Sequence, residues 1–192
     1  MELETLYRRT LESWSDRVQA VAPERWDADT PCTDWDVRAL VNHVVGEDLW
    51  TEALVRGATI EEVGDRFDGD LLGSDPREAA LDAAARAAGA VAETLPAHGK
   101  VHLSYGDEDI DEYVAQLAAD HLVHGWDLAA ATGGDRDLDP ELVDEVAAWF
   151  AQREEVYRSA GAVGPRLEAA AGDAQSQLLA AFGRDARWTG RG

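Results

Sequence analysis

Apolar residues return every three or four positions along most of this chain. Leu3, Leu6, Tyr7, Leu11, Trp14, Val18 and Val21 share one face of a helix over residues 2–22, which Pro23 closes. A loop over 23–34, dense in turn formers and without period, separates it from a second helix over 35–56 that carries Val37, Leu40 and Val44 and stops at Gly57. Thr33 or Asp34 is the expected N-cap of that helix, with Asp36 in its first turn. A short helical piece over 60–67 and an exposed loop over 68–73, placed near the mouth of any site, lead to an alanine-rich helix over 76–95. Ser74-Asp75-Pro76 starts that helix and Pro96 ends it.

The longest periodic segment runs over 110–132, where Ile110, Val114, Leu117, Leu122, Gly125 and Leu128 recur at helical intervals. Asp107 to Asp111 are expected to cap it, and Gly133-Gly134 to end it. Ahead of it, the alternation Val101, Leu103, Tyr105 reads as a short strand or extended link. Helices over 140–159 and 173–182 follow, separated by a break at Gly161–Pro165. The pattern predicts an all-α chain: a four-helix bundle over about 1–134 with a helical C-terminal extension over about 135–192, together one domain.

Composition narrows the function classes. The 192 residues carry 39 acidic against 17 basic side chains, a net charge of −22, which repels phosphate backbones and anionic lipid. No nucleic-acid partner is expected. No apolar run reaches the roughly 18 residues of a membrane span, and the N-terminus lacks a signal peptide's charged-then-apolar order, so a cytoplasmic location is expected. Cys32, the single cysteine, excludes an internal disulfide.

Candidate chemistry sits on the longest helix. Asp120 and His124 are four residues apart and so stack on one face, which is metal-ligand spacing. His43, inside the second helix, is the candidate third ligand, since bundle helices can bring such positions together across a core. A solvated or hydrogen-bonded Asp/His pair is the competing reading of the same spacing. Glu47, one turn after His43, is a fourth ligand, a base, or a solvated charge; Asp127 orients an imidazole or hydrogen-bonds in the core. His121 is rotated about 100° from Asp120 on a helix and should face elsewhere. Trp35 and Trp126 read as packing residues, His98 and His102 as surface histidines, and Cys32 as an inert loop thiol without a neighbouring base.

Three blocks carry a family resemblance: Thr30-Pro31-Cys32-Thr33-Asp34-Trp35-Asp36-Val37-Arg38-Ala39-Leu40-Val41-Asn42-His43, Val123-His124-Gly125-Trp126-Asp127-Leu128-Ala129 with Ala131-Thr132-Gly133, and Gln177-Leu178-Leu179-Ala180-Ala181-Phe182-Gly183-Arg184-Asp185. In this order they resemble the DinB-like, mycothiol-dependent maleylpyruvate isomerase N-terminal superfamily, in particular its short, actinobacterial-type metal-binding branch. The resemblance implies a DinB-like four-helix bundle with a divalent metal, zinc or nickel, on His43, Asp120 and His124. Many DinB-like members have histidine where Asp120 stands, and the isomerase has glutamate, so this chain departs by a shorter carboxylate. The longer isomerase has an additional C-terminal domain, whereas residues 135–192 follow Gly134 here, so the resemblance implies no specific isomerase assignment.

The activity implied by the resemblance is thiol chemistry, in which mycothiol or another low-molecular-weight thiol attacks a small electrophile in a transferase or isomerase reaction. Two rival readings stand beside it: a non-catalytic metal-binding stress-response protein, and a metal-dependent hydrolase. The substrate, the thiol, the metal and the oligomeric state, a homodimer included, are left open by the sequence.

Overall fold

The computed structural model describes residues 1–169 and 172–190. Four long helices, α1 (Leu3–Gln19), α2 (Val37–Val55), α4 (Pro76–Thr94) and α5 (Ile110–Thr132), build the all-α bundle, with the short α3 (Ile60–Val63) between the second and third of them. They pack as a ring in which α1 touches α4 and α5, and α2 touches the same two helices. Alanines 80, 83, 84, 87 and 90 make the buried stripe of α4, a composition that favours the helix and lets its neighbours come close.

Helix α5 organises the molecule. It has almost no polar face: 18 of its residues are buried, the histidines 121 and 124 and Asp127 among them. A helix apolar nearly all round must be covered on all sides, and the second cover is the C-terminal extension. There α6 (Pro140–Ala151) packs on α5, and α8 (Ala174–Ala181) packs on α6. The rings of Phe150 and Phe182 stack at 4.1 Å to join those two helices. Trp14 and Trp126, 0% and 1% exposed, lie in the core.

Several boundaries differ from the sequence expectation for local reasons. The N-cap of α2 is Asp36, whose Oδ1 accepts from Ala39 N at 2.7 Å, rather than Thr33 or Asp34. The buried Thr30 hydroxyl holds the preceding turn: it donates to Trp35 O at 2.8 Å and accepts from Cys32 N at 3.1 Å, which fixes where Cys32 and Trp35 point. Asp107–Asp109 are not caps. They lie in a second strand, β2 (Gly106–Asp109), paired antiparallel with β1 (Lys100–Leu103), and Asp109 at the N-cap position makes no side-chain cap bond. The expected helix over 140–159 breaks at Gln152 and Arg153 into α6 and α7 (Glu154–Ser159). Among the described residues no helix is long and apolar enough to cross a membrane.

Candidate functional site

A pocket of about 650 Å³ opens between α2, α5, the Pro31–Trp35 turn and the C-terminal extension. Helix α2 contributes His43 and Glu47, and α5 contributes Gln116, Asp120, Val123 and His124. All four of His43, Glu47, Asp120 and His124 therefore reach one cavity from two helices. The extension closes it with Trp149, Tyr157, Phe182 and Arg184.

His43 and Glu47 stand one turn apart, with His43 Nε2 3.4 Å from Glu47 Oε1. The rings of His43 and His124 meet at 5.4 Å between centroids, nearly perpendicular at 82°. Burial, and to a lesser degree the neighbouring His124, pushes His43 down to about 4, so its imidazole is neutral at pH 7. Burial raises Glu47 well above the usual carboxylate range, with Asp120 and Asp48 adding to it, and burial raises Asp120 as well against the pull of His124, His121 and Arg184. The site thus holds two carboxyl groups that resist ionising together, beside a neutral imidazole.

Behind His124 lies a second arrangement. Its Nδ1 is 3.0 Å from Asp127 Oδ2. Arg184 reaches over from the end of α8 and grips Asp127, with Nε 3.1 Å from Oδ1 and Nη2 3.0 Å from Oδ2. Burial alone would raise Asp127, but the Arg184 charge and the hydrogen bonds from His124 and Arg184 outweigh it and hold the carboxyl below its ordinary range. Gly183 makes this reach possible. It ends α8 at φ +75°, and a Cβ there would stand 3.3 Å from Pro165 O.

Cys32 joins the same group, its Sγ donating to Asp127 Oδ2 at 3.2 Å and accepting from Arg184 Nη2 at 3.1 Å. The expectation that this thiol has no neighbouring base is corrected, because the Pro31–Trp35 turn lays it against Asp127 with His124 Nδ1 at 3.9 Å. Burial and the Asp127 charge nevertheless push it up to about 12 against the pull of Arg184, so it stays protonated. Among the described residues, Cys32, His124 and Asp127 are the trio whose potential ligand atoms lie within 4.8 Å of one another; His43, Asp120 and His124 are less tightly drawn together. The tighter trio is a poor fit for a cation, because the Arg184 guanidinium already occupies its Asp127 and faces its sulfur.

Most of the remaining candidates fall elsewhere. His121 turns away from the pocket, but into the core and not to the surface: its Nε2 is 3.0 Å from Asp48 Oδ1, and both are 2% exposed or less. Trp126 is a core residue, whereas Trp35 lines the pocket with its ring 4.5 Å from that of His43. His98 and His102 lie at the surface against Asp111 and Asp107. The 68–73 loop is tied to α2, where Asn42 bonds Gly69 O and Leu71 N; it does not line this pocket, but Gly69 and Asp70 border an adjoining cleft with Trp35 and His43.

Comparison with known proteins agrees with the fold. The chain is 32% identical over 148 residues to two uncharacterized Mycobacterium tuberculosis proteins, Rv0738 and MT0763, covering 74% of each chain. Its fold is similar to the crystal structures of a mycothiol-dependent maleylpyruvate isomerase and a mutant of it. Their TM-scores are 0.61 and 0.63 at 18% and 16% identity, over 86% of this chain and 73% of theirs. Residues 7–129, more than half of the chain, match the family described as mycothiol maleylpyruvate isomerase N-terminal domain. The chain belongs to that family.

Proposed function

We propose that the pocket holds a divalent metal, zinc before nickel, through His43, Asp120 and His124. We propose too that the protein uses a low-molecular-weight thiol, mycothiol in the first place, to transfer or isomerise a small electrophile in the cytoplasm. The observation that supports this reading is the shared cavity: His43, 77 or more positions from the other two in sequence, lines the same space as Asp120 and His124. The donor set fits, since two imidazoles and a carboxylate are a recurrent ligand set of open, reactive zinc sites. His43 is neutral, and Asp127 takes the Nδ1 side of His124, so Nε2 is left as the donor.

A dication bound there would lower the pKa of an incoming thiol. The rest of the work falls to the chain. Glu47, raised by burial and 3.4 Å from His43, is placed to receive the thiol proton. Trp35, Trp149, Tyr157 and Phe182 form an aromatic wall that excludes water and seats an apolar electrophile.

Metal analysis of the purified protein and of a His43→Ala variant, joined to a thiol-dependence assay with a model electrophile, tests the proposal. Metal near one equivalent in the parent and little in the variant, with turnover only when thiol is added, supports it. Equal metal content removes the site. Turnover of esters or amides without thiol assigns the pocket to hydrolysis instead, and metal without turnover of either kind assigns it to a non-catalytic, stress-response role.

A further inference from the structure

We infer that Gln116 is the residue that orients the ligand in this pocket: its side-chain amide donates to a neutral carbonyl oxygen, and the site prefers ligands that carry one. The inference rests on the pocket being the substrate site, as proposed above, and goes beyond it by naming a contact and the group that it recognises.

Gln116, Asp120 and His124 follow one another at four-residue intervals along α5, and all three line the cavity. At 1.5 Å of rise per residue, Gln116 stands about 6 Å from Asp120 along the helix axis, on the side away from His124. The stripe thus carries the proposed metal ligands at one end and an uncharged amide at the other.

That amide is held on one side only. Tyr157, on α7, donates its phenolic hydrogen to Gln116 Oε1 at 3.1 Å. A phenol keeps its proton at neutral pH, and Oε1 is the acceptor this one has among the described residues. The amide oxygen is therefore fixed toward Tyr157, and the two N–H groups of Nε2 point away from it. Among the described residues Nε2 has no partner, nor is it one of the unpaired polar atoms shut inside the protein. On a half-buried side chain that lines the pocket, such a donor faces the cavity. Two other donors of the lining are already taken: Trp149 Nε1 donates to Glu112 Oε2 at 3.3 Å, and Arg184 grips Asp127.

A carbonyl oxygen entering beside Trp149 and Tyr157 loses hydration to an aromatic wall, and Gln116 supplies a hydrogen bond in its place. A hydrocarbon of the same shape gains nothing from the amide and leaves its N–H groups without water or partner. The bond is neutral on both sides, so it does not depend on how Glu47 and Asp120 are ionised or on the charge of a bound cation. The carbonyl can belong to the electrophile or to the thiol.

Isothermal titration of the purified protein in the presence of zinc, with two matched pairs of ligands, tests the inference. One pair is benzylacetone and its analogue with C=CH2 in place of C=O; the other is N-acetylcysteamine and pentanethiol. Gln116→Met keeps the length of the side chain and removes its donors. It is expected to lower the preference for the carbonyl member of at least one pair about fivefold to tenfold. Tyr157→Phe, which lets the amide rotate, is expected to lower the same preference partway. A side chain that only supports the wall would weaken both members of a pair alike. A change in the benzylacetone pair assigns the carbonyl to the electrophile, and a change in the other pair assigns it to the thiol. A preference that either variant leaves unchanged in both pairs, or no binding of any of the four compounds, overturns the inference. The thiol reading of the site fails separately: if N-acetylethanolamine binds as well as N-acetylcysteamine, that reading falls while the pairs still report on Gln116.

Discussion

Asp127 Oδ2 stands 3.0 Å from Nδ1 of His124, one turn back along α5, in a cluster sealed by Arg184. A carboxylate held ionised by a guanidinium can only accept, so the ring proton of His124 sits on Nδ1 and its Nε2 lone pair is left for the pocket. The orientation of the proposed ligand thus depends on Arg184, a residue just beyond the end of α8.

Asp127→Asn removes the charge that fixes this ring. Zinc affinity is expected to fall about 10–100-fold, measured by competition with a chromophoric chelator. Unchanged affinity would mean that Asp127 serves the core alone.

Cys32 supplies an independent readout of the same charge. With its thiol pushed up to about 12 by burial and by Asp127, iodoacetamide should modify it slowly at pH 8, and quickly once the chain is unfolded. Asp127→Asn takes away one cause of the shift and leaves Arg184 facing the sulfur, so alkylation of the folded variant should accelerate. Mass spectrometry of timed samples checks this, and fast modification of the folded parent would refute it.

Burial raises Glu47 well above the usual carboxylate range and raises Asp120 as well, so protons compete with a dication for these carboxyls in the metal-free site. Zinc titrated into metal-free protein near neutral pH should release them, and the apparent enthalpy should vary with the ionisation enthalpy of the buffer. The Glu47→Gln variant should release fewer. An enthalpy independent of buffer would show that neither carboxyl binds a proton there.

The buried pair of His121 and Asp48 is a matter of stability. His121→Ala leaves Asp48, 0% exposed, without its partner, an error that costs about 3–5 kcal/mol. Chemical denaturation should show this loss while zinc stoichiometry is retained. Loss of zinc from a still-folded variant would make His121 a ligand after all.

Periodicity made the bundle legible because each long helix buries a stripe that repeats every three or four residues, and α5 read true from Ile110 to Thr132. It also brought His43, Asp120 and His124 into view, since spacing within a helix is a local property. The pocket's far wall was not legible in the same way. Trp149, Tyr157 and Phe182 show an apolar face in sequence, but nothing local says that the face is turned to α5. Arg184 left a fainter signal, a charged residue directly after an apolar helix and a glycine, whose partner lies 57 residues away. The second strand was hidden because Gly106–Asp109 is exposed and acidic, and only the pairing with β1 makes it a strand.

The central claim is where the metal sits, and two sets of side chains compete for it through the shared His124. An anomalous difference map at the zinc edge, from crystals of zinc-loaded protein, decides between them. The account predicts one peak enclosed by His43, Asp120 and His124; a peak among Cys32, His124 and Asp127, or none in the pocket, would contradict it.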